Sequence, residues 1–384
     1  MTTPTTPMTS APPPLGRERL VWPDVAKGAC ILLVVLHHVI LKDYIFLVGA
    51  TFDPIEDVWH DVTYGLKPVR MPLFFVVSGF FAAGAVTRPW RTSCRRIVSG
   101  YYLYVVWLTV FMGVYALERD LPANRVVSVA DFFGELLWAA SSMWFLYALA
   151  VYFVLAKALR RLPPAVVVGT AAALAVSVSW LGIEENNRFS VLVHLVYFLV
   201  GAYYPQAVRR VADHRLRVAA LLGLACAYSV AAGVVLYSGL PWSPTAFAAS
   251  LLGIPLGIAL AVRCSSTRVG AGLAWIGRRT LRVYVLHLIV LVALVQLPLA
   301  LGEDDVLGLI SALGYPIVMT GLVVAACLGL HQLLVRLRLG WLFALPARLN
   351  QRLAAGAEAV DETGQPAPAG GENVPSDARS GITE

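Results

Sequence analysis

Charged residues are scarce in this chain, and their scarcity excludes an ordinary water-soluble enzyme. They make up 14% of the 384 residues, whereas residues of the AVILMFWYC set reach 58%. Soluble domains carry about 25% charged residues. The mean hydropathy is +0.72, and the apolar residues occur in long blocks. Such blocks exclude a disordered protein and indicate a polytopic membrane protein.

Paired cysteines and nucleotide-binding motifs are also missing. The five cysteines are scattered without a CxxC pair, which argues against disulfides and a zinc site. No GxxxxGK[ST], HExxH or GxSxG motif occurs, and no GxGxxG motif follows a strand. We therefore expect no metal and no bound cofactor. The net charge of +7 lies in short basic clusters between apolar blocks, which is typical of membrane topology and not of nucleic-acid binding.

Ten apolar segments each approach the length of about 20 residues that a helix needs to cross a bilayer. We therefore predict an all-α, polytopic transmembrane helix bundle in the cell (inner or plasma) membrane. The segment 126–139 is a candidate interfacial helix. The predicted spans are 25–46, 70–87, 97–117, 140–159, 164–182, 189–207, 217–237, 244–262, 280–300 and 308–335.

The charges between these segments alternate as ten spans require. With the N-terminus inside, most arginines fall in inside loops, and acids such as Asp57, Glu184 and Glu303 fall outside. Both termini are therefore predicted to be cytoplasmic. We expect a disordered N-terminal segment at 1–17, a transmembrane domain at 18–345 and a cytoplasmic, largely disordered tail at 346–384.

The first span carries the most informative residues. Lys27 and His38 are eleven residues apart, so they share one helix face and lie roughly 16 Å apart along the axis. Asp24 lies one turn before Lys27, and His37 is rotated by about 100° from His38. A neutral intramembrane imidazole can accept a proton from a hydroxyl, which makes His38 a candidate catalytic base. Alternatively, His38 bridges helices while Lys27 snorkels to the interface.

Four further clusters are candidates for substrate or donor binding. Topology alone explains some of the arginines before the third span, although guanidinium groups also bind phosphates. The aromatic residues that open the fourth span are typical interface anchors but can also stack on a substrate. Ser78 next to Gly79 favours close helix packing. With the first-span residues, the binding candidates are Asp24, Lys27, His37, Arg70, Ser78, Arg95, Arg96, Trp144, Tyr147, Tyr284 and His287.

These clusters, in this order, resemble the integral-membrane acyltransferase-three family, and within it the fucose 4-O-acetylase-like and polysaccharide O-acetyltransferase branch. The similar stretches are Asp24 to His38, Met71 to Gly79, Trp144 to Tyr147 and Gly277 to His287. The resemblance covers about residues 18–340. The branch often has His where this chain has Arg70, and its Arg-x-x-Arg stretch before the third span is not matched.

The resemblance implies transfer of an acyl group, usually acetyl from acetyl-CoA as co-substrate, to a hydroxyl of a sugar or glycosylated acceptor. It assigns His38 the role of essential histidine. It also implies that Lys27 helps to bind the acyl donor or to hold the site, and that Arg95 and Arg96 are candidates to face the CoA phosphates. The expected partners are acyl-CoA, a carbohydrate acceptor and the lipid bilayer. The alternatives are a proton-coupled secondary transporter of a small metabolite and a non-catalytic membrane scaffold.

Overall fold

The computed structural model describes residues 20–47, 52–117, 126, 128–139, 141–181, 187–297 and 305–353. Within these ranges every regular element is helical, which confirms the predicted all-α class. A π-helical turn, Ile40–Tyr44, joins the first two helices. The α-helices are α1 (Trp22–Val39), α2 (Ile45–Leu47), α3 (Asp53–Gly65), α4 (Lys67–Thr87), α5 (Cys94–Leu117), α6 (Val129–Leu137), α7 (Trp144–Ala158), α8 (Pro164–Ser177), α9 (Asn187–Tyr203), α10 (Pro205–Asp213), α11 (Val218–Tyr237), α12 (Trp242–Cys264), α13 (Arg268–Gly277), α14 (Thr280–Val295) and α15 (Val306–Arg336).

The protein is a multi-pass membrane protein. Six helical segments of the described chain are long and apolar enough to cross a membrane, and α9 with α10, which meet at 81°, would make a seventh. Each of the ten predicted spans corresponds to one helix or bent helix pair over its described residues. Three of these helices, α7, α8 and α14, are shorter than a full span. The count of ten and the cytoplasmic termini remain predictions.

The two chain ends fall mostly outside the described residues. The expected disordered segment 1–17 lies outside them entirely, as does 354–384 of the expected tail. Residues 347–353, at the start of that tail, are helical. The candidate interfacial segment contains α6, whose first turn is capped reciprocally by the Ser128 and Asp131 side chains.

Two glycines bring the backbones of α4 and α9 into close contact. A Cβ atom added at Gly79 would lie 2.0 Å from the Phe198 carbonyl oxygen, and one at Gly201 would lie 2.0 Å from the Val76 carbonyl oxygen. Only glycine permits this backbone approach. The prediction that Ser78 and Gly79 mark a close helix contact is therefore confirmed, with α9 as the partner.

A second glycine contact closes the first half of α1 against α13. A Cβ atom at Gly28 would lie 1.9 Å from the Leu273 carbonyl oxygen, and one at Gly277 would lie 1.8 Å from the Asp24 carbonyl oxygen. The backbones of α1 and α13 touch here, so no space remains between them. Any cavity along α1 must therefore lie on its other faces or beyond this contact.

The helix directions define two ends of the bundle. The arginine-rich end contains the C-termini of α4 and α7, because Lys157 Nζ donates to the carbonyls of Ala85 (2.9 Å) and Arg88 (2.6 Å). The start of α1 lies there too, since Lys27 Nζ is 4.9 Å from the Phe81 ring. At the opposite end, which we call the cavity end, the His37 ring meets α3.

Candidate active site

A cavity of about 630 Å³ lies among α1, α4, α7, α9 and α14. Its volume is typical of a small-molecule site. The cavity extends from Ile31 of α1 and Thr280 of α14, each seven residues before the lining histidine of its helix, past those histidines towards the cavity end of the bundle. Its polar lining includes His37, His38, Lys42, Lys67, Arg70 and His287. The described lining contains no aspartate or glutamate, so the charges that enclose this space are positive.

His38 lies in this lining, just before the π-helical turn of α1. Its Nδ1 atom is 2.8 Å from the Val34 carbonyl oxygen, one helical turn earlier. Because a carbonyl oxygen only accepts hydrogen bonds, Nδ1 carries the proton of the neutral ring. The lone pair of His38 is therefore on Nε2, which makes no hydrogen bond to any described residue. A π-turn beside this ring is consistent with a functional site.

His287 of α14 orients the His38 ring. Its Nδ1 is 2.6 Å from the Tyr284 carbonyl oxygen, so Nδ1 holds the proton and Nε2 is an acceptor. That Nε2 is 3.3 Å from Nδ1 of His38, and the two ring centroids are 4.9 Å apart. The Nδ1 proton of His38 is therefore shared between Val34 and His287. Two intramembrane histidines that are 249 residues apart in sequence thus act as one unit.

A second polar group joins α1, α3 and α4. His37 Nδ1 is 2.9 Å from Thr63 Oγ1, and Arg70 Nη1 donates to the same hydroxyl at 3.1 Å. Nη1 of Arg70 also donates to the backbone carbonyls of Thr63 (3.2 Å) and Leu33 (3.5 Å). Arg70 is only 4% exposed. Its guanidinium is therefore held in the cavity wall next to His37 and His38 of α1.

Aromatic rings form the opposite wall of the cavity. Trp144 lies with its ring centroid 5.6 Å from that of His194, and the Phe145 ring is 5.2 Å from that of Tyr284. The Tyr284 hydroxyl donates to the Ser142 carbonyl at 2.9 Å, which ties α14 to the start of α7. A wall of this kind can stack on the apolar face of a sugar ring or an acyl chain.

Six of the predicted site residues meet in this cavity: His37, His38, Arg70, Trp144, Tyr284 and His287. The other candidates do not line it. Asp24 and Lys27 pair with each other at 3.0 Å at the arginine-rich end. Ser78 Oγ donates to the Phe74 carbonyl within its own helix, and Tyr147 donates to the Leu137 carbonyl.

The arginines before α5 also lie away from the cavity. The Arg96 guanidinium stacks 4.8 Å above the Phe153 ring, and Arg95 is exposed. By helical period Lys27 shares a face of α1 with Ile31, Val34 and His38, but the cavity lining begins at Ile31, and the Lys27 ammonium pairs with Asp24 beside the Phe81 ring. The predicted polar stripe is therefore not continuous along the described cavity.

Sequence reasoning missed several residues of the lining. Lys42, Lys67 and Asn187 lie at the ends of α1, α4 and α9 that the cavity reaches. Lys67 could have been found, because it precedes Arg70 by three residues and so shares its helix face. His194 lies in the sixth predicted span. It lines the cavity, and its Nδ1 is 2.7 Å from the Ser190 carbonyl oxygen.

Comparison with known proteins gives the family. A family model described as an acyltransferase domain matches residues 20–331. Inner membrane protein YcfT of Escherichia coli (strain K12) is 30% identical over 206 residues, which cover 49% of this chain and 57% of that protein. Nodulation protein NolL of Sinorhizobium fredii (strain NBRC 101917 / NGR234) is 25% identical over 212 residues, which cover 53% of each chain.

The chain thus spans a little over half the length of these two curated relatives. No solved structure matches it significantly. The family model covers most of the chain, including all the helices that enclose the cavity. This protein therefore belongs to the integral-membrane acyltransferase-three family.

Proposed function

We propose that this protein is a membrane-embedded O-acyltransferase that moves an acyl group, in the first instance acetyl, from acyl-CoA to a hydroxyl of a sugar or glycosylated acceptor. The observation that carries the proposal is the His38 ring in the cavity wall. Its Nδ1 proton is fixed by Val34 and His287, which leaves the Nε2 lone pair as the base. Family membership supplies the reaction class.

The reaction follows from this geometry. The acceptor hydroxyl donates its hydrogen bond to His38 Nε2, and its oxygen attacks the thioester carbonyl carbon. The proton moves to Nε2 as the new C–O bond forms. The C–S bond then breaks, and the leaving sulfur takes the proton from the imidazolium, which releases CoA as a thiol. His287 Nε2 accepts a hydrogen bond from the Nδ1–H group of His38 throughout and so stabilises the imidazolium.

We further propose opposite approaches for the two substrates. The positive-inside rule places the arginine-rich end in the cytoplasm, where acyl-CoA is available. Exposed Arg95 there is the candidate partner for the CoA phosphates. The acceptor would enter at the cavity end, beside Lys42 and Trp144. The protein would then lie in the cell membrane and accept a carbohydrate from the outer side.

The experiment that tests this function is mass spectrometry of the glycans and secreted metabolites of the producing cells. Cells with the intact protein should contain a product heavier by one acetyl group, which is lost when the gene carries His38→Gln. His331→Gln is the matched control, because that ring packs on Phe343 away from the cavity. Loss of the product in both variants, or in neither, would contradict the proposed role of His38.

A further inference from the structure

Arg70 is a buried cation that has no carboxylate partner in the described part of the chain. It is 4% exposed and lies one turn inside the start of α4. Among the described residues no aspartate or glutamate forms an ion pair with it, in contrast to Lys27, which pairs with Asp24. A charged residue at this depth in a membrane protein is normally neutralised by a partner or used in function. The negative charge that balances Arg70 must therefore come from outside the described chain.

The guanidinium of Arg70 is also only partly used. All three of its hydrogen bonds to described residues come from Nη1, to Thr63 and Leu33. Its Nη2 atom makes no hydrogen bond to a described residue and is not fully buried, whereas Nε also lacks a described partner but is buried. Guanidinium groups bind carboxylates and phosphates through paired N–H groups, so Arg70 retains the capacity that such an anion requires. It lines the same cavity as His38.

We propose that the acceptor carries an anionic group, a carboxylate or a phosphate, and that Arg70 binds this group. The inference rests on the proposed acyl transfer and names the class of acceptor. Arg70 Nη1 and His38 Nδ1 contact the successive carbonyls of Leu33 and Val34 on α1. The anionic group of the acceptor and the hydroxyl that is acylated therefore belong to the same sugar residue or to adjacent ones.

The CoA phosphates do not fit this position. Arg70 and Arg88 are 18 residues apart on α4, which places them roughly 27 Å apart along the helix axis. Phosphates held at the arginine-rich end lie too far away to neutralise Arg70. A transition-state oxyanion is the remaining rival, and it makes a different prediction. It would require Arg70 for every acceptor, including water.

The test compares three acceptors that differ in charge: methyl β-glucuronide, glucose 1-phosphate and methyl β-glucoside. Purified wild-type protein in nanodiscs is given radiolabelled acetyl-CoA, and kcat/KM for each acceptor is measured together with hydrolysis to acetate. We expect a preference for one or both anionic sugars of about tenfold to a hundredfold, as hydrogen bonds to charged groups provide. The carboxylate and phosphate arms show which anion is used.

Arg70→Gln should abolish this preference, so that the ratio of kcat/KM for an anionic sugar to kcat/KM for methyl β-glucoside falls to about one. Arg70→Lys should keep part of it. Arg209→Gln is the control, because Arg209 stacks 5.5 Å from the Phe80 ring outside the cavity. Equal use of charged and neutral sugars by the wild type would overturn the inference. A fall of equal size for the anionic sugars, methyl β-glucoside and hydrolysis in Arg70→Gln, which leaves that ratio unchanged, would overturn it too and would support the oxyanion role.

A binding measurement separates this inference from the proposed function. At least one of the two anionic sugars should raise the melting temperature of wild-type protein, but not of Arg70→Gln, whereas methyl β-glucoside should have no such effect. That result without any acetyl-CoA turnover would refute acyl transfer and leave the anion site standing. Transfer to neutral sugar without an anion-dependent shift would refute only the anion site. Absence of turnover and of any shift would refute both.

Discussion

Arg70 and Lys157 are two buried cations in the same bundle, and they are used in opposite ways. Lys157 is 1% exposed, and its Nζ donates to the carbonyls of Ala85, Val86 and Arg88 at 2.9, 3.5 and 2.6 Å. These carbonyls end α4 and lack partners within the helix. Arg70 uses one nitrogen, Nη1, for hydrogen bonds within the fold, and its Nε atom has no partner among the described residues.

The difference shows how structural charges can be told from functional ones in this protein. At the arginine-rich end, Lys157 and Arg160 cap α4, and Arg96 covers an aromatic ring. In the cavity, His38 and Arg70 keep hydrogen-bonding capacity that no described residue takes up. Both regions are basic, and only the pattern of hydrogen bonds separates them. Each of the following experiments tests whether the structural cations and the functional ones differ in this way.

The largest effect is expected when the hydrogen bond between His38 and His287 is removed. His287→Leu should lower kcat for acetyl transfer by about tenfold to a hundredfold, because the His38 imidazolium loses a buried hydrogen bond. KM for acetyl-CoA should change little. His287→Gln offers an acceptor oxygen in place of Nε2 and should recover part of kcat. Steady-state kinetics of purified protein measures both; equal rates in the Leu and Gln variants would show that His287 only fills space.

The next effect concerns the fold at the arginine-rich end. Lys157→Met should lower the free energy of unfolding by about 1–3 kcal/mol, because three carbonyls at the end of α4 lose a buried donor. Thermal unfolding in detergent, followed by tryptophan fluorescence, measures the loss. The preference for charged acceptors should be unchanged in the folded fraction. An unchanged melting temperature would mean that Lys157 does not support α4.

Arg70→Met should destabilise the protein less than Lys157→Met does. The substitution removes a buried charge that lacks a carboxylate partner in the described chain, and an apolar side chain of similar length replaces it. The loss of hydrogen bonds to Thr63 and Leu33 opposes this gain. The same unfolding assay applied to both variants compares them directly. A larger loss for Arg70→Met would make Arg70 a structural residue and would erase the contrast with Lys157.

The smallest effect is expected for Arg160. Its Nη1 atom donates to the carbonyls of Val86, Thr87 and Arg88, but the side chain is only partly buried, so water can replace it. Arg160→Met should therefore change the free energy of unfolding by less than about 1 kcal/mol. Thermal unfolding of Arg160→Met and Lys157→Met, followed by tryptophan fluorescence, tests whether the Arg160 effect is the smaller one. An equal loss of unfolding free energy in Arg160→Met and Lys157→Met would show that the burial of the side chain does not determine the size of the loss.

The sequence predicts the helices well because bilayer thickness imposes length and hydropathy on each span. It also identifies Gly79 as a close contact, since small residues in apolar segments have few other uses. The pairing of His38 with His287 was beyond prediction, because it depends on how α1 and α14 pack. The separation of Lys27 from His38 was missed for the same reason. Helical period gives a face, but the packing of the helices decides what that face meets: Lys27 meets Asp24 and the Phe81 ring of α4, and not the cavity.

The most direct test of the account is the release of free CoA from acetyl-CoA by purified protein in nanodiscs, with and without a sugar acceptor. Wild-type protein and His331→Gln should release CoA at similar rates, and His38→Gln should be slower by about 10²–10⁴-fold. A secondary transporter would release none. Undiminished CoA release by folded His38→Gln, or none by wild-type protein, would contradict the assignment of this cavity to acyl transfer.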